Sequence, residues 1–179
     1  MTLDPGPLAG VTLTPAGDAW TLIFIRELGH PPETVWAALT DPDQLDRWAP
    51  FAADRDLGRP GEATLTMIDG ETRMPLIATV RTADRPRLLE YSWGGDVLRW
   101  ELDPSATGTR LTLRHTLAEP GMAAMVAAGW HLCAAVLARL LGGDPVGVIR
   151  GRDAMDHGWA ALRDRYAEVL DLPASGGDR

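Results

Sequence analysis

The spacing of apolar side chains changes period several times along the 179-residue chain, and each change marks an element. Trp20 to Leu28 (WTLIFIREL) is too apolar and too β-branched at its centre to be anything but a buried strand. Gly29-His30-Pro31-Pro32 stops it. Pro32 fits the first turn of a helix, where its missing N–H costs nothing, and Val35, Trp36 and Leu39 then form one apolar stripe. Asp41-Pro42 opens a second short helix. The Asp41 carboxylate can cap it, and Gln44 occupies the capping-box position before Leu45 and Trp48. Ala49 to Gly61 reads as a loop, punctuated by Pro50, Gly58 and Pro60.

From Glu62 to Leu117 the period falls to two. Strands are predicted over 62–68, 74–82, 88–93, 97–103 and 109–117, separated by Asp69-Gly70, by Gly94-Gly95-Asp96 and by Ala106-Thr107-Gly108. Such short connections make an antiparallel meander. On its last three strands Leu89, Tyr91 and Trp93 share a face, as do Leu98, Trp100 and Leu102, and Leu111, Leu113 and His115. The alternate positions are polar: Glu90, Ser92, Arg99, Glu101, Thr112, Arg114 and Thr116. Three inward layers follow: Leu89, Leu102 and Leu111; Tyr91, Trp100 and Leu113; Trp93, Leu98 and His115.

From Met122 to Leu141 the period becomes helical. At 100° per residue Met122, Met125, Val126, Trp130, Leu132, Cys133, Val136, Leu137, Leu140 and Leu141 fall on about one half of the circumference. The other half is assigned to Ala124, Ala127, Ala128, Ala134, Ala135 and Ala138, with only His131 among them. Arg139 is the sole formal charge, so both faces are expected to be covered, the bulky one by the sheet and the alanine one by a later helix or a second copy of the chain. Gly142-Gly143-Asp144-Pro145 ends the helix, and Gly147 and Gly151 keep the next residues irregular. A last helix from about Asp153 carries Met155, Trp159, Leu162, Tyr166 and Val169 as a stripe, and 173–179 reads as a flexible tail.

Composition narrows the partners. At 45% hydrophobic and 23% charged the chain is ordinary for a globular domain, and its length suits a single one. The net charge of −8 opposes nucleic acid and anionic membranes through bulk electrostatics. All 17 basic residues are Arg. One cysteine excludes an internal disulfide and a Cys-based zinc site, and His30, His115, His131 and His157 lack ligand spacing, so no metal or cofactor is expected. Residues 1–10 have neither a basic start nor an apolar stretch, and no apolar run is read as long enough to span a membrane, which predicts a cytoplasmic protein.

His115 is the residue with most chemistry, because it lies on the inward face beside Trp93. It is either a hydrogen-bond donor or general base facing a ligand, or a core histidine satisfied by a backbone carbonyl. Tyr91, Trp93 and Trp100 either line an aromatic pocket or simply pack. Trp130, Cys133 and Leu137 lie on the helix face assigned to the sheet and complete the candidate ligand-binding set, with Cys133 read as a small hydrophobe. No phosphate loop, serine elbow or dinucleotide fingerprint is present, and no catalytic residue is assigned.

Four stretches in order carry a resemblance: 31–42 (PPETVWAALTDP) with Leu45 and Trp48, 85–93 (RPRLLEYSW), 108–115 (GTRLTLRH) and Gly129-Trp130. The chain resembles the START-like (Bet v-type, SRPBCC) superfamily and, within it, bacterial proteins similar to the C-terminal domain of the activator of the heat-shock chaperone ATPase. The chain is read as one domain over 1–172, with a core of about 19–142 and an extra C-terminal helical extension over 143–172 that the shortest members of the family lack. The resemblance implies an α+β helix-grip fold: a curved antiparallel sheet of about six strands around a long helix, with two short helices after the first strand. It also implies a pocket between sheet and helix for a small hydrophobic or aromatic molecule. The alternatives are a polyketide cyclase or aromatase-like enzyme using His115 with Tyr91 or Trp93, and a module that modulates a chaperone ATPase.

Overall fold

The computed structural model describes residues 3–173. Eight strands, β1 (Gly10–Ala16), β2 (Ala19–Leu28), β3 (Phe51–Ala53), β4 (Gly61–Asp69), β5 (Thr72–Asp84), β6 (Leu88–Trp93), β7 (Asp96–Ser105) and β8 (Gly108–Leu117), form one sheet in the order β1-β2-β8-β7-β6-β5-β4-β3. Every pairing is antiparallel. The helices are α1 (Pro32–Thr40), α2 (Pro42–Leu45), α3 (Ala123–Leu141) and α4 (Trp159–Val169). This is the α+β helix-grip architecture expected, with α3 as the gripped helix.

The sheet has two more strands than the sequence reading gave. Val11 and Leu13 alternate too briefly to identify β1 alone, yet they pair with Phe24 and Leu22 of β2. β3 lies inside the expected loop: its three residues are too few for a period to show, but Phe51 is buried and pairs with Met67. The short helices are as read, with the Asp43 N–H donating to Asp41 Oδ1 at 2.9 Å as the α2 cap.

The predicted layers hold across β7 and β8, where Leu98 faces His115, Trp100 faces Leu113 and Leu102 faces Leu111. On β6 they are displaced by two residues: Leu89 pairs with Trp100, Tyr91 with Leu98, and Trp93 with Asp96. The cause is a two-residue turn at Gly94-Gly95, where the expected pairing of Trp93 with Leu98 required the four residues 94–97 between them. A slip of two preserves the side-chain alternation, so each side chain keeps its predicted face. On the outer face Arg99 bridges Glu90 (3.2 Å) and Glu101 (2.9 Å), and Arg114 reaches Glu101 at 3.0 Å.

The long helix divides differently from the expectation. Ala134 sits with Trp130 and Leu137 against Phe24, Trp100 and Leu113, because a residue four after Trp130 lies one turn on along the same face. Ala138 is exposed. The 22 residues Pro120–Leu141 also reach the length and apolarity of a membrane span, contrary to the sequence reading, and 67% of that window is buried inside the domain.

The predicted last helix is interrupted. A 3-10 segment covers Gly151–His157, and α4 begins only after Gly158, whose φ of 82° is left-handed and breaks the helical path. Met155 therefore leaves the apolar stripe and is 56% exposed; Val169, the last residue of α4, is also 56% exposed, whereas Leu162 and Tyr166 are buried. Of the expected tail, 174–179 lie outside the described residues, as do residues 1 and 2.

His131 shows what covers the other side of α3. Its Nε2–H donates to Pro5 O (2.7 Å), which leaves Nδ1 to accept from the Tyr166 hydroxyl (2.7 Å), and the Tyr166 oxygen accepts the Ala9 N–H at 2.9 Å. Arg26 holds the same N-terminal segment through Pro7 O and Pro5 O, at 3.0 and 3.3 Å. Burial, with smaller contributions from Arg26 and Arg165, pushes the His131 pKa below its ordinary 6.5, while the bond to Pro5 opposes the shift. The folded chain thus favours the neutral ring. This contribution to stability is complete above about pH 6.5, where the unfolded chain is also neutral, and is lost as pH falls through the lowered folded value. Thermal melts from about pH 7.5 to about pH 5.5 should show a falling midpoint, with a shallower fall in His131→Gln. An unchanged slope in the variant would assign the acid sensitivity to another group.

Candidate functional site

The space between sheet and α3 is filled by aromatic rings. Trp100 meets Trp48 edge-on at 6.0 Å between centroids and Trp130 at 5.3 Å, with interplanar angles of 86° and 90°. Their indole N–H groups are engaged: Trp48 donates to Ala38 O (2.8 Å), Trp100 to the Tyr91 hydroxyl (3.1 Å) and Trp130 to His115 Nδ1 (3.0 Å). The void left among them is about 10 Å³, bordered by Trp48, Trp100, Trp130 and Leu137. It is apolar and too small for a ligand.

An open cavity of about 210 Å³ lies on the other side of Trp130. The sheet contributes Trp93, at the end of β6, and His115 from β8; α3 contributes Val126, Gly129, Trp130, Leu132 and Cys133. The remaining walls are Pro50 and the segment after α3: Ile149, Arg150, Gly151, Ala154 and Trp159. Trp93 stands 5.7 Å from Trp130 and 5.7 Å from His115, centroid to centroid.

Two contacts fasten that segment across the cavity. The buried Arg150 guanidinium donates to Ala49 O (2.8 Å), Asp46 Oδ1 (3.1 Å) and Phe51 O (3.2 Å), joining the segment to the α2–β3 corner. Beyond it, Asp69 Oδ1 accepts the Arg152 N–H at 3.1 Å. Gly151 permits this approach: its φ is 52°, and a Cβ there would fall 2.2 Å from Asp69 Oδ1.

The polar groups of the cavity are mostly committed. The Trp130 indole can only donate, so His115 Nδ1 is bare and the ring proton sits on Nε2, directed to Asp96 Oδ2 at 2.7 Å. Neither ring nitrogen is free to take a proton from a substrate. Burial pushes the Cys133 thiol up to about 12, against a smaller opposing influence from Arg150, so it stays protonated and unreactive. The buried Trp93 indole N–H has no hydrogen-bond partner among the described residues.

Of the residues expected to bind ligand, the structure brings Trp93, His115, Trp130 and Cys133 to the open cavity. Trp100 and Leu137 border the closed void instead, and Tyr91, fully buried against Trp100 and Phe51, borders neither. Arg150, Ile149 and Trp159 were not among the expected residues. The available signal was a lone arginine in the apolar run Val146-Gly147-Val148-Ile149-Arg150-Gly151, which reads as a connection until its carbonyl partners are seen. No group of His, Cys, Asp and Glu able to hold a metal occurs among the described residues.

The family described as Activator of Hsp90 ATPase homolog 1-like protein matches residues 29–142. No curated protein matches the chain. Among solved structures, a conserved protein of unknown function from Enterococcus faecalis superposes with a TM-score of 0.69 at 16% identity, over 90% of each chain. CalU16 from Micromonospora echinospora gives 0.64 at 19% identity, over 90% of this chain and 91% of its own. The AHSA1 protein from Silicibacter pomeroyi gives 0.60 at 24%, over 68% of this chain and 97% of its own. At these identities the likenesses establish the fold. The family match ends at Gly142, so Ile149, Arg150, Gly151, Ala154 and Trp159, which close the cavity, lie beyond it.

Proposed function

The chain belongs to the Activator of Hsp90 ATPase homolog 1-like family, and from that premise we propose that it binds a small, largely apolar aromatic molecule in the cavity closed by its own C-terminal segment. The observation that carries this reading is the convergence of Trp93, Trp130 and Trp159, from β6, α3 and α4, on one cavity of about 210 Å³. Drug-sized ligands use clefts of about 300–1,000 Å³, whereas benzene occupies one of about 150 Å³, so the space suits a single substituted ring. Binding is favoured over acid–base catalysis because both nitrogens of His115 are engaged by Trp130 and Asp96, and the Cys133 thiol has no activating base.

Native mass spectrometry of freshly purified protein tests this, joined to a tryptophan-fluorescence titration with single-ring aromatics. The expected result is a small-molecule adduct released by denaturation, or saturable quenching as the rings enter beside Trp93 and Trp130. A bare chain mass together with flat titrations would exclude the reading.

A further inference from the structure

Arg150 is, among the described residues, the one formally charged member of the cavity wall, and it is 9% exposed. A guanidinium carries five N–H groups and no acceptor. Three are taken, by Ala49 O, Asp46 Oδ1 and Phe51 O. The first and last are neutral carbonyls, and the one countercharge among the described residues, Asp46, lies 60% exposed at the surface, where water weakens its hold. A buried cation is thus left with one solvent-screened anion and two further N–H groups, at the edge of a compartment walled by aromatic rings. Its positive charge opposes, to a smaller extent, the effect of burial on the Cys133 thiol, another residue of the same wall.

Resting on the reading of the cavity as an aromatic-ligand site, we infer that the ligand is a small aromatic carboxylic acid bound as its anion, the ring against the wall formed by Trp93 and Trp130 and the carboxylate on Arg150. Size and charge support the same class. A volume of about 210 Å³ against about 150 Å³ for benzene leaves room for one ring and one carboxylate. Arginine presents paired N–H groups that match the two oxygens of a carboxylate, and such charge-assisted bonds are about twice as strong as neutral ones. A cationic ligand would meet Arg150 as a like charge, and a purely hydrocarbon one would leave its spare N–H groups unpaired.

Titrating the full chain with benzoate, benzamide and benzylamine, followed by tryptophan fluorescence, compares an anion, a neutral molecule and a cation of similar shape. Benzoate should bind about tenfold more tightly than benzamide, and benzylamine most weakly. Equal affinity for acid and amide would overturn the inference and leave aromatic binding standing, whereas no binding by any of the three would overturn both. Arg150→Gln should abolish the preference for the acid. Because Arg150 also holds Ala49 and Phe51 and its loss can unfold the corner, Asp46→Asn supplies a second variant. Removing the competing carboxylate should raise benzoate affinity at least about threefold while benzamide is unchanged. A preference that survives in folded Arg150→Gln, or that Asp46→Asn leaves untouched, would place the acid elsewhere.

Discussion

Replacing Trp130 by alanine is expected to lower the free energy of unfolding by about 3–5 kcal/mol in urea denaturation. Trp130 is 4% exposed and stands where three environments meet. Its ring packs edge-on against Trp100 and beside Trp93, borders both the closed void and the open cavity, and donates its N–H to His115. Deleting it removes that packing and leaves His115 Nδ1 a buried acceptor with no donor. Trp130→Phe separates the two losses, since most of the ring remains and the bond does not; about 1–2 kcal/mol is expected there. A loss below about 1 kcal/mol for the alanine variant, typical of surface changes, would show that the ring is not part of the core.

Truncation after Gly143 is the other large effect. It removes the buried side chains of Ile149, Leu162 and Tyr166 together with the Arg150 clamp. At about 1.5–3 kcal/mol for each large apolar side chain withdrawn, the loss comes to about 5–9 kcal/mol, comparable to the whole stability of many domains. It also strands the His131 Nδ1 acceptor and the Ala9 N–H donor, both of which now meet Tyr166. The surface laid bare is His131 with Ala128 and Ala135, one turn to either side, while Ala134 stays covered by the sheet. The truncated chain should bind a hydrophobic dye, lose solubility and show no response to benzoate. A soluble product with an unchanged melting temperature would mean that the extension covers nothing essential.

The elements with long, regular periods were legible in the sequence: β2, the β4–β8 meander, α3 and the pairing of β7 with β8. Features set by one or two residues were not. The Gly94-Gly95 turn moved the β6 register by two, and β3 was too short to show a period. Gly158 divided a stripe that looked continuous through Met155 and Trp159. The candidate site was half visible for a related reason. Trp93, His115, Trp130 and Cys133 follow from strand and helix faces, whereas Arg150 earns its place only through carbonyl partners about a hundred positions earlier in the chain. Whether aromatic side chains enclose a space or fill it depends on rotamers and register, which is why Trp100, Tyr91 and Leu137 read alike with residues that do line the cavity.

The order of strands sets a schedule for folding. β2 lies between β1 and β8, its near neighbour in sequence and a strand from the far end of the meander. As the chain leaves the ribosome, the hairpins from β4 to β8 can close on adjacent partners, but one edge of β2, with Ile23 and Phe24, has nothing to bond until β8 has emerged. The segment before β1 waits longer still, because its Ala9 N–H is received by Tyr166 of α4. The residues just before β1 are therefore among the last to reach their places, and the apolar β2 edge stays unpaired longest among the strands of the sheet's centre.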